Sequence, residues 1–352
     1  MAAEIDIREL LQYAVDKDAS DVHLTEGLPP TVRIDGLLVP TTYPVLNRNS
    51  AKKIIYSILS DEQKVRFETE LELDLSIYIP EVSRFRVNVH IQRGNVEAAF
   101  RIIPTKIKTS EELGLPPVVN DLARKPNGLV LVTGPTGMGK TTTLATMVNL
   151  INNERRALII SIEDPIEYVH THNKSIIKQR EVGSDTRSFT NALKHALRQD
   201  PDVILVGEMR DLETVSTAIT AAETGHLVLS TLHTPDAPQT IDRLIDIFPP
   251  FQQRQIMIQV SGCLQGIISQ QLLPKKDGRG RVAACEIMTG TSAVRSLIRE
   301  HRTEQLMTVI QTGAQHGMIT MDKSMKKLYK DGVISEETVL SRVKDRKEFE
   351  RL

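Results

Sequence analysis

Leu129-Val130-Leu131-Val132-Thr133-Gly134-Pro135-Thr136-Gly137-Met138-Gly139-Lys140-Thr141-Thr142 is the stretch that decides the fold. Its four leading apolar residues, with no polar alternation, read as a strand buried on both faces. A glycine-rich turn and then a helical pattern follow. The pattern G-x-x-x-x-G-K-T in that strand–turn–helix setting is a phosphate-binding loop. Its glycines let backbone N–H groups curl around phosphate oxygens, and the helix N-terminus adds partial positive charge. Gly134 through Thr142 are the expected nucleotide contacts, with Lys140 on the β- and γ-phosphates and the Thr141 hydroxyl on Mg2+. Chance matches arise in about one chain per hundred of this length, given the usual glycine frequency.

Three more near-continuous apolar runs follow, Leu158 to Ile162, Val203 to Val206 and Leu227 to Leu229. The first ends in Glu163-Asp164-Pro165-Ile166-Glu167, the second in Gly207-Glu208-Met209-Arg210-Asp211, the third in Ser230-Thr231-Leu232-His233-Thr234. All four expected strands therefore carry phosphate-binding or ionisable groups at their carboxyl ends, the edge where open α/β sheets bind ligands. Phosphoryl transfer needs a metal anchor, a carboxylate to orient water, and donors to meet charge developing on the γ-phosphate. Glu208 is the choice for orienting water. Glu163 shares that role or reaches the Mg2+ shell, and His233 senses the γ-phosphate. His226, at the opposite end of its strand, reads as structural. Residues 212 to 224 form a helical pattern, with Asp211 as N-cap and Gly225 as stop.

The chain has 352 residues, more than one core usually organises, so two domains are expected. From Ile5 to Ile103 amphipathic helical stretches near 5 to 18 and 49 to 69 mix with short alternating runs such as Arg84-Phe85-Arg86-Val87-Asn88-Val89, a small α+β pattern. Prolines and polar residues over 104–117 mark a linker. The α/β nucleotide domain then spans 118–352 and is mostly helical from about 291. Lys275 to Gly280 reads as a turn, and Lys344 to Leu352 as a solvated helix end.

Lys and Arg total 44 against 45 Asp and Glu, so no global field draws nucleic acid or anionic lipid. Aromatics make up 4% with no Trp, which leaves little for base stacking, and no nucleic-acid partner is expected. The two cysteines, Cys263 and Cys285, are too few and too far apart for a metal or redox motif, and read as core residues. No basic-then-apolar leader and no apolar run of membrane length occurs, so the expectation is a cytoplasmic chain.

In these boxes the chain resembles the RecA-like ATPases of the secretion superfamily, and within them the type IV pilus retraction ATPases. The resemblance rests on Ala19-Ser20-Asp21-Val22-His23-Leu24, the phosphate loop, the acidic box 162–167, the Walker B region Asp200 to Glu208, and the histidine box Gly225 to Thr234. It implies a hexameric ring, a PAS-like amino-terminal domain closing over ATP and Mg2+ on a RecA-like domain, and arginines from the smaller domain reaching the phosphates. By matching segments these are Arg86 and Arg101, with Arg84 and Arg93 as neighbours. It also implies an inner-membrane pilus platform as partner, so that the chain sits peripherally at the inner face of the cytoplasmic membrane.

Assembly and secretion ATPases of the same superfamily carry a four-cysteine zinc motif and a longer amino-terminal region. This chain's two cysteines imply no zinc, and with its early domain start they favour retraction. Ala293-Val294-Arg295-Ser296-Leu297-Ile298-Arg299-Glu300 resembles the family's retraction-associated segment but departs from its commonest form, alanine-isoleucine-arginine-asparagine, at Val294 and Ser296. A helix packed within the subunit is the alternative reading of that segment. Pilus assembly or secretion, and more remotely nucleic-acid translocation, are the alternative functions.

Overall fold

The computed structural model describes residues 5–34, 36–103, 106–278 and 280–343. Backbone packing divides the chain into two compact units. One runs to Lys106 and includes Glu167–Val169; the other comprises Ile107–Ile166 and the chain from His170 onward.

The first unit begins with α1 (Ile7–Asp16), whose N-cap Asp6 accepts from the Arg8 amide. There follow β1 (Asp21–Leu24), β2 (Thr31–Ile34), β3 (Leu37–Pro40), α2 (Arg48–Tyr56), α3 (Asp61–Glu70), β4 (Glu72–Ile79), β5 (Ser83–Gln92) and β6 (Asn95–Ile103). The helical pattern over 49–69 is two helices, not one. Ser60 takes an extended backbone and forms a reciprocal capping box with Gln63, which starts a new helix where a continuous one would need helical dihedrals. The strands make an antiparallel sheet in the order β3-β2-β1-β6-β5-β4. The alternating run at 84–89 is the centre of β5, with Phe85, Val87 and Val89 buried and Arg86 exposed on the other face. Leu10, Leu11, Phe67 and Phe100 pack into the same core.

The second unit comprises α4 (Val118–Ala123), β7 (Gly128–Thr133), α5 (Lys140–Glu154), β8 (Leu158–Glu163), β9 (Ile176–Glu181), α6 (Phe189–Ala196), β10 (Val203–Val206), α7 (Leu212–Glu223), β11 (Leu227–Leu232), α8 (Ala237–Asp246), α9 (Pro250–Cys263), β12 (Leu264–Pro274), β13 (Arg281–Thr289), α10 (Ser292–Arg299), α11 (Leu306–Thr312), α12 (Met321–Lys330) and α13 (Glu336–Leu340). Its sheet runs β13-β12-β7-β11-β10-β8-β9, parallel throughout except for β13. The four apolar runs are the adjacent strands β7, β11, β10 and β8.

Because side chains alternate along a strand, β7 serves two cores at once. Val130 and Val132 pack with Leu144, Met147 and Val148 of α5. Leu129 and Leu131 pack on the opposite face with Ala218, Ile241 and Val260 of α7, α8 and α9. Asp211 caps α7 by accepting from the Thr214 amide at 2.8 Å, and Gly225 follows its end at φ +109°.

The sequence reading did not identify β9, β12 or β13. Edge strand β9 exposes Ile176 and Lys178, so its pattern is too polar to register as a buried strand. The hairpin β12–β13 flanks the expected turn at 275–280. Cys263 and Cys285 are core residues, their thiols pushed up to about 12 by burial and so held neutral. Among the described residues no helix is long and apolar enough to cross a membrane. The expected helix end at 344–352 lies outside the described residues.

Candidate nucleotide site

The loop between β7 and α5 is built around left-handed glycines, with φ +138° at Gly134, +78° at Gly137 and +79° at Gly139. Gly134 is required twice over, because a Cβ there would lie 2.5 Å from the Gln270 carbonyl oxygen. Lys140, the first residue of α5, is buried and its ammonium donates to the Gly134 and Pro135 carbonyls at 2.8 and 3.1 Å. The side chain therefore folds back over the loop that precedes it. Thr141 and Thr142 follow in the first turn, half-buried at the helix N-terminus.

The strand order ranks the remaining candidates by their distance from this loop. With strands about 4.8 Å apart, β11 brings His233 one strand away, β10 brings Glu208 two strands away, and β8 brings Glu163 three strands, about 14 Å, away. Hydroxyls fasten these ends to one another. Ser230 Oγ donates to the Val206 carbonyl at 2.7 Å and Thr231 Oγ1 to the Gly207 carbonyl at 2.6 Å. Glu208 and His233 thus emerge from two strands pinned side by side.

His233 occupies the centre of the group. Its Nε2 lies 3.2 Å from Glu208 Oε1, while its Nδ1 faces Lys140 Nζ at 3.4 Å and Thr136 Oγ1 at 3.5 Å. An ammonium only donates, so Nδ1 acts as acceptor there. In the neutral ring the proton therefore sits on Nε2 and is donated to Glu208. The other Glu208 oxygen accepts from Arg210 Nη2 at 2.8 Å. Burial alone would raise the Glu208 carboxyl, but the Arg210 hydrogen bond and charge, together with His233, outweigh it and hold it below the usual carboxylate range. Glu208 is an anion at neutral pH.

Glu163 is buried, and its Oε1 accepts from Ser161 Oγ at 2.7 Å and Gln179 Nε2 at 3.2 Å. His226 reads as structural here too, since its Nδ1 lies 2.9 Å from the Ala221 carbonyl at the end of α7. A cavity of about 630 Å3 among Pro117, Gln265 and His316 lies at the opposite end of the sheet and contains none of these residues.

In the first unit Arg86 and Arg101 are exposed and stand directly opposite each other on β5 and β6. Arg101 Nε bonds Asp21 Oδ1 at 3.0 Å, and Asp21 is also its partner across β1 and β6. Arg33 joins the same carboxylate at 3.9 Å. Arg84 is half-buried, and Arg93 is exposed in the turn between β5 and β6.

Segment 293–300 falls largely on α10, with Val294 and Ile298 buried. Arg295 donates to the Gly290, Ser261 and Leu264 carbonyls at 2.8 to 2.9 Å, and to that of Gly262, so it clamps the end of α9.

Two residues of the site escaped the sequence reading. Arg210 lies in the polar cluster Gly207 to Asp211 that closes its apolar run, and its i+2 spacing from Glu208 was the available signal. Gln270 interrupts the apolar run of β12 and reaches the phosphate loop; a buried amide in such a strand marks it.

The chain matches the family model of type II/IV secretion system proteins over residues 2–342. It is 50% identical over 340 residues to the type IV pilus retraction ATPase PilT of Pseudomonas aeruginosa, covering 97% of this chain and 98% of that one. A twitching motility protein of Neisseria gonorrhoeae is 46% identical over 316 residues, 90% of this chain and 84% of the other. The crystal structure of the pilus retraction motor PilT with bound ADP matches with a TM-score of 0.92 at 50% identity, covering 99% of this chain and all of that one. With its phosphate loop, its parallel sheet and a match that spans both units, this chain belongs to the type II/IV secretion system protein family.

Proposed function

We propose that this chain is a motor ATPase that couples ATP hydrolysis to type IV pilus retraction. The observation that carries the hydrolytic reading is the contact of His233 with both Glu208 and Lys140 at the carboxyl edge of adjacent parallel strands. The left-handed loop glycines let backbone N–H groups curl toward the α- and β-phosphates, and Lys140 meets the β- and γ-phosphates. Glu208, kept anionic by Arg210 and His233, accepts a hydrogen bond from the attacking water and aligns it with the γ-phosphorus. His233 spans from that carboxylate to the lysine, placed to register the γ-phosphate.

Thr141 at the start of α5 would hold Mg2+ through its hydroxyl. When bound, that ion neutralises charge shared between the β- and γ-phosphates. Glu163 is three strands from the loop and already accepts two hydrogen bonds, which favours a supporting role in orienting the edge over direct metal contact.

We assign residues 1–103 as a PAS-like domain, 104–117 as the linker and 118–352 as the RecA-like domain. Two guanidinium groups directly across a strand pair repel, and only Arg101 has Asp21 to offset this. Such an arrangement suits a polyanion, so Arg86 and Arg101 are assigned to nucleotide phosphates. The working form is a cytoplasmic homo-hexamer, held at the inner face of the cytoplasmic membrane by a pilus platform protein.

Retraction is favoured over assembly by the likeness to PilT and by two buried cysteines that form no zinc motif. Deleting the gene and following pilus dynamics by microscopy tests direction. Excess unretracted pili are expected; loss of pili points to an assembly motor.

A further inference from the structure

Strand β12 outruns its neighbour. Its ladder with β7 ends at the pair Ser269 and Thr133, and the next residue, Gln270, lies beside the phosphate loop. Gln270 is 2% exposed, and both ends of its amide are engaged. Nε2 donates to the Met138 carbonyl at 2.5 Å, and Oε1 accepts from Thr143 Oγ1 at 2.9 Å. Two residues on, the Leu272 amide donates to Met138 Sδ at 3.2 Å.

Met138 and Thr143 bracket Gly139-Lys140-Thr141-Thr142, the residues assigned to the β- and γ-phosphates and to Mg2+. A trans peptide points its carbonyl and its N–H in opposite directions within one plane. With the Met138 carbonyl held by Gln270 outside the loop, the Gly139 N–H on the same peptide is turned inward, toward the phosphates. Gly139, at φ +79°, could otherwise take other orientations with little penalty.

We infer that Gln270 is a positioning residue for nucleotide binding, which fixes the Met138–Gly139 peptide and the first turn of α5 through one planar amide. The inference rests on the nucleotide-site reading above. Gln270 bonds the Met138 carbonyl and the Thr143 hydroxyl rather than the residues assigned to the β- and γ-phosphates, so its loss acts on affinity more than on the chemical step.

The test compares full-length wild type, Gln270→Met, Gln270→Glu and Lys140→Ala by binding of a fluorescent ADP analogue, steady-state ATPase and thermal melting. Gln270→Met removes both hydrogen bonds at similar length; nucleotide Kd and KM for ATP should rise about tenfold with kcat within about threefold. In Gln270→Glu an ionised carboxylate faces the Met138 carbonyl, acceptor against acceptor. Burial raises that carboxyl, and its protonated form donates as the amide does. The affinity of this variant relative to wild type should therefore be about tenfold low near pH 8.5 and recover toward pH 6, which a role in core packing alone would not produce.

Affinity within about twofold of wild type in both variants overturns the inference, as does a Gln270→Glu defect that ignores pH. Loss of cooperative melting in both also overturns it, since Gln270 is then a determinant of the fold itself. Failure of the underlying reading looks different: wild type itself would not bind nucleotide, or Lys140→Ala would bind as well as wild type.

Discussion

His233 and Glu208 meet at 3.2 Å, from Nε2 to Oε1, across two strands whose ends are fastened by Ser230 and Thr231. The same imidazole faces Lys140 through Nδ1. With Lys140 assigned to phosphate and Glu208 proposed to orient water, a change in the position of Lys140 has a direct path to that carboxylate. His233→Ala should lower turnover roughly a hundredfold while nucleotide Kd changes by less than about threefold. Steady-state ATPase and fluorescent-nucleotide titration give both numbers; a variant with normal turnover removes His233 from the mechanism.

Lys140 and Glu208 should separate binding from chemistry. Lys140→Ala takes away the ammonium proposed to meet phosphate, so both binding and turnover are expected to fall to near background. Glu208→Ala leaves the loop intact and should retain ATP while losing turnover. Glu208→Gln is the sharper comparison, since it keeps a hydrogen-bond acceptor toward Arg210 while it removes the charge and turns an amide donor toward His233 Nε2. Near-wild-type hydrolysis in that variant would mean that the water is oriented by another group.

The site was legible in the sequence to the extent that each part announces itself locally. Four apolar runs, each closing on a polar cluster, placed the phosphate loop, Glu163, Glu208 and His233 on one sheet edge. The order of those strands did not follow from their order in the chain. Only the sheet, with β11 and β10 inserted between β7 and β8, puts Glu208 nearer the loop than Glu163. Gln270 was hidden for a related reason. It is separated from Met138 by 132 positions, and its value depends on β12 extending beyond the end of β7, a property of the pair that neither strand displays alone. Ser60 and Gln63 show the opposite case, where the capping box was written locally but hydrophobic periodicity ran across it.

The cap at Asp211 offers a stability measurement at the base of the Walker B loop. Its side chain accepts from both the amide and the hydroxyl of Thr214, at 2.8 Å each. Asp211→Ala should cost about 1 kcal/mol of unfolding free energy, read as a lower melting midpoint or denaturant midpoint. An unchanged midpoint would show that α7 is held by packing alone.

His170 should make folding sensitive to acid. Its Nδ1 is shielded from solvent and, among the described residues, has no hydrogen-bond partner. Burial pushes the imidazole down to about 4 from the ordinary 6.5. Between those values the unfolded chain binds a proton that the folded chain does not, so stability rises with pH in that window and is lost as pH falls through it. The full loss is roughly 3 kcal/mol, complete near pH 4. Denaturant midpoints between pH 7 and pH 5 should fall more steeply for wild type than for His170→Gln. Equal slopes would assign the acid sensitivity to other groups.

Arg86 and Arg101 provide the test of whether the first unit takes part in hydrolysis. The Arg101 ion pair with Asp21 involves a largely exposed guanidinium, and pairs of that kind contribute about 0 to 1 kcal/mol. Arg101→Ala should thus leave the melting midpoint nearly unmoved, and Arg86→Ala should relieve a like-charge pair across the strands. Neither substitution threatens the fold, so a fall in turnover cannot be put down to unfolding. Turnover is expected to drop by roughly tenfold or more in each, with a smaller loss in nucleotide affinity, because guanidinium groups aimed at developing charge act most strongly in the transition state. Arg101→Lys discriminates further, since a lysine keeps the charge but not the planar fork; rescue by lysine would reduce the role to long-range electrostatics. Unchanged rates in both alanine variants would confine the chemistry to the second unit and leave the facing arginines to another anionic partner.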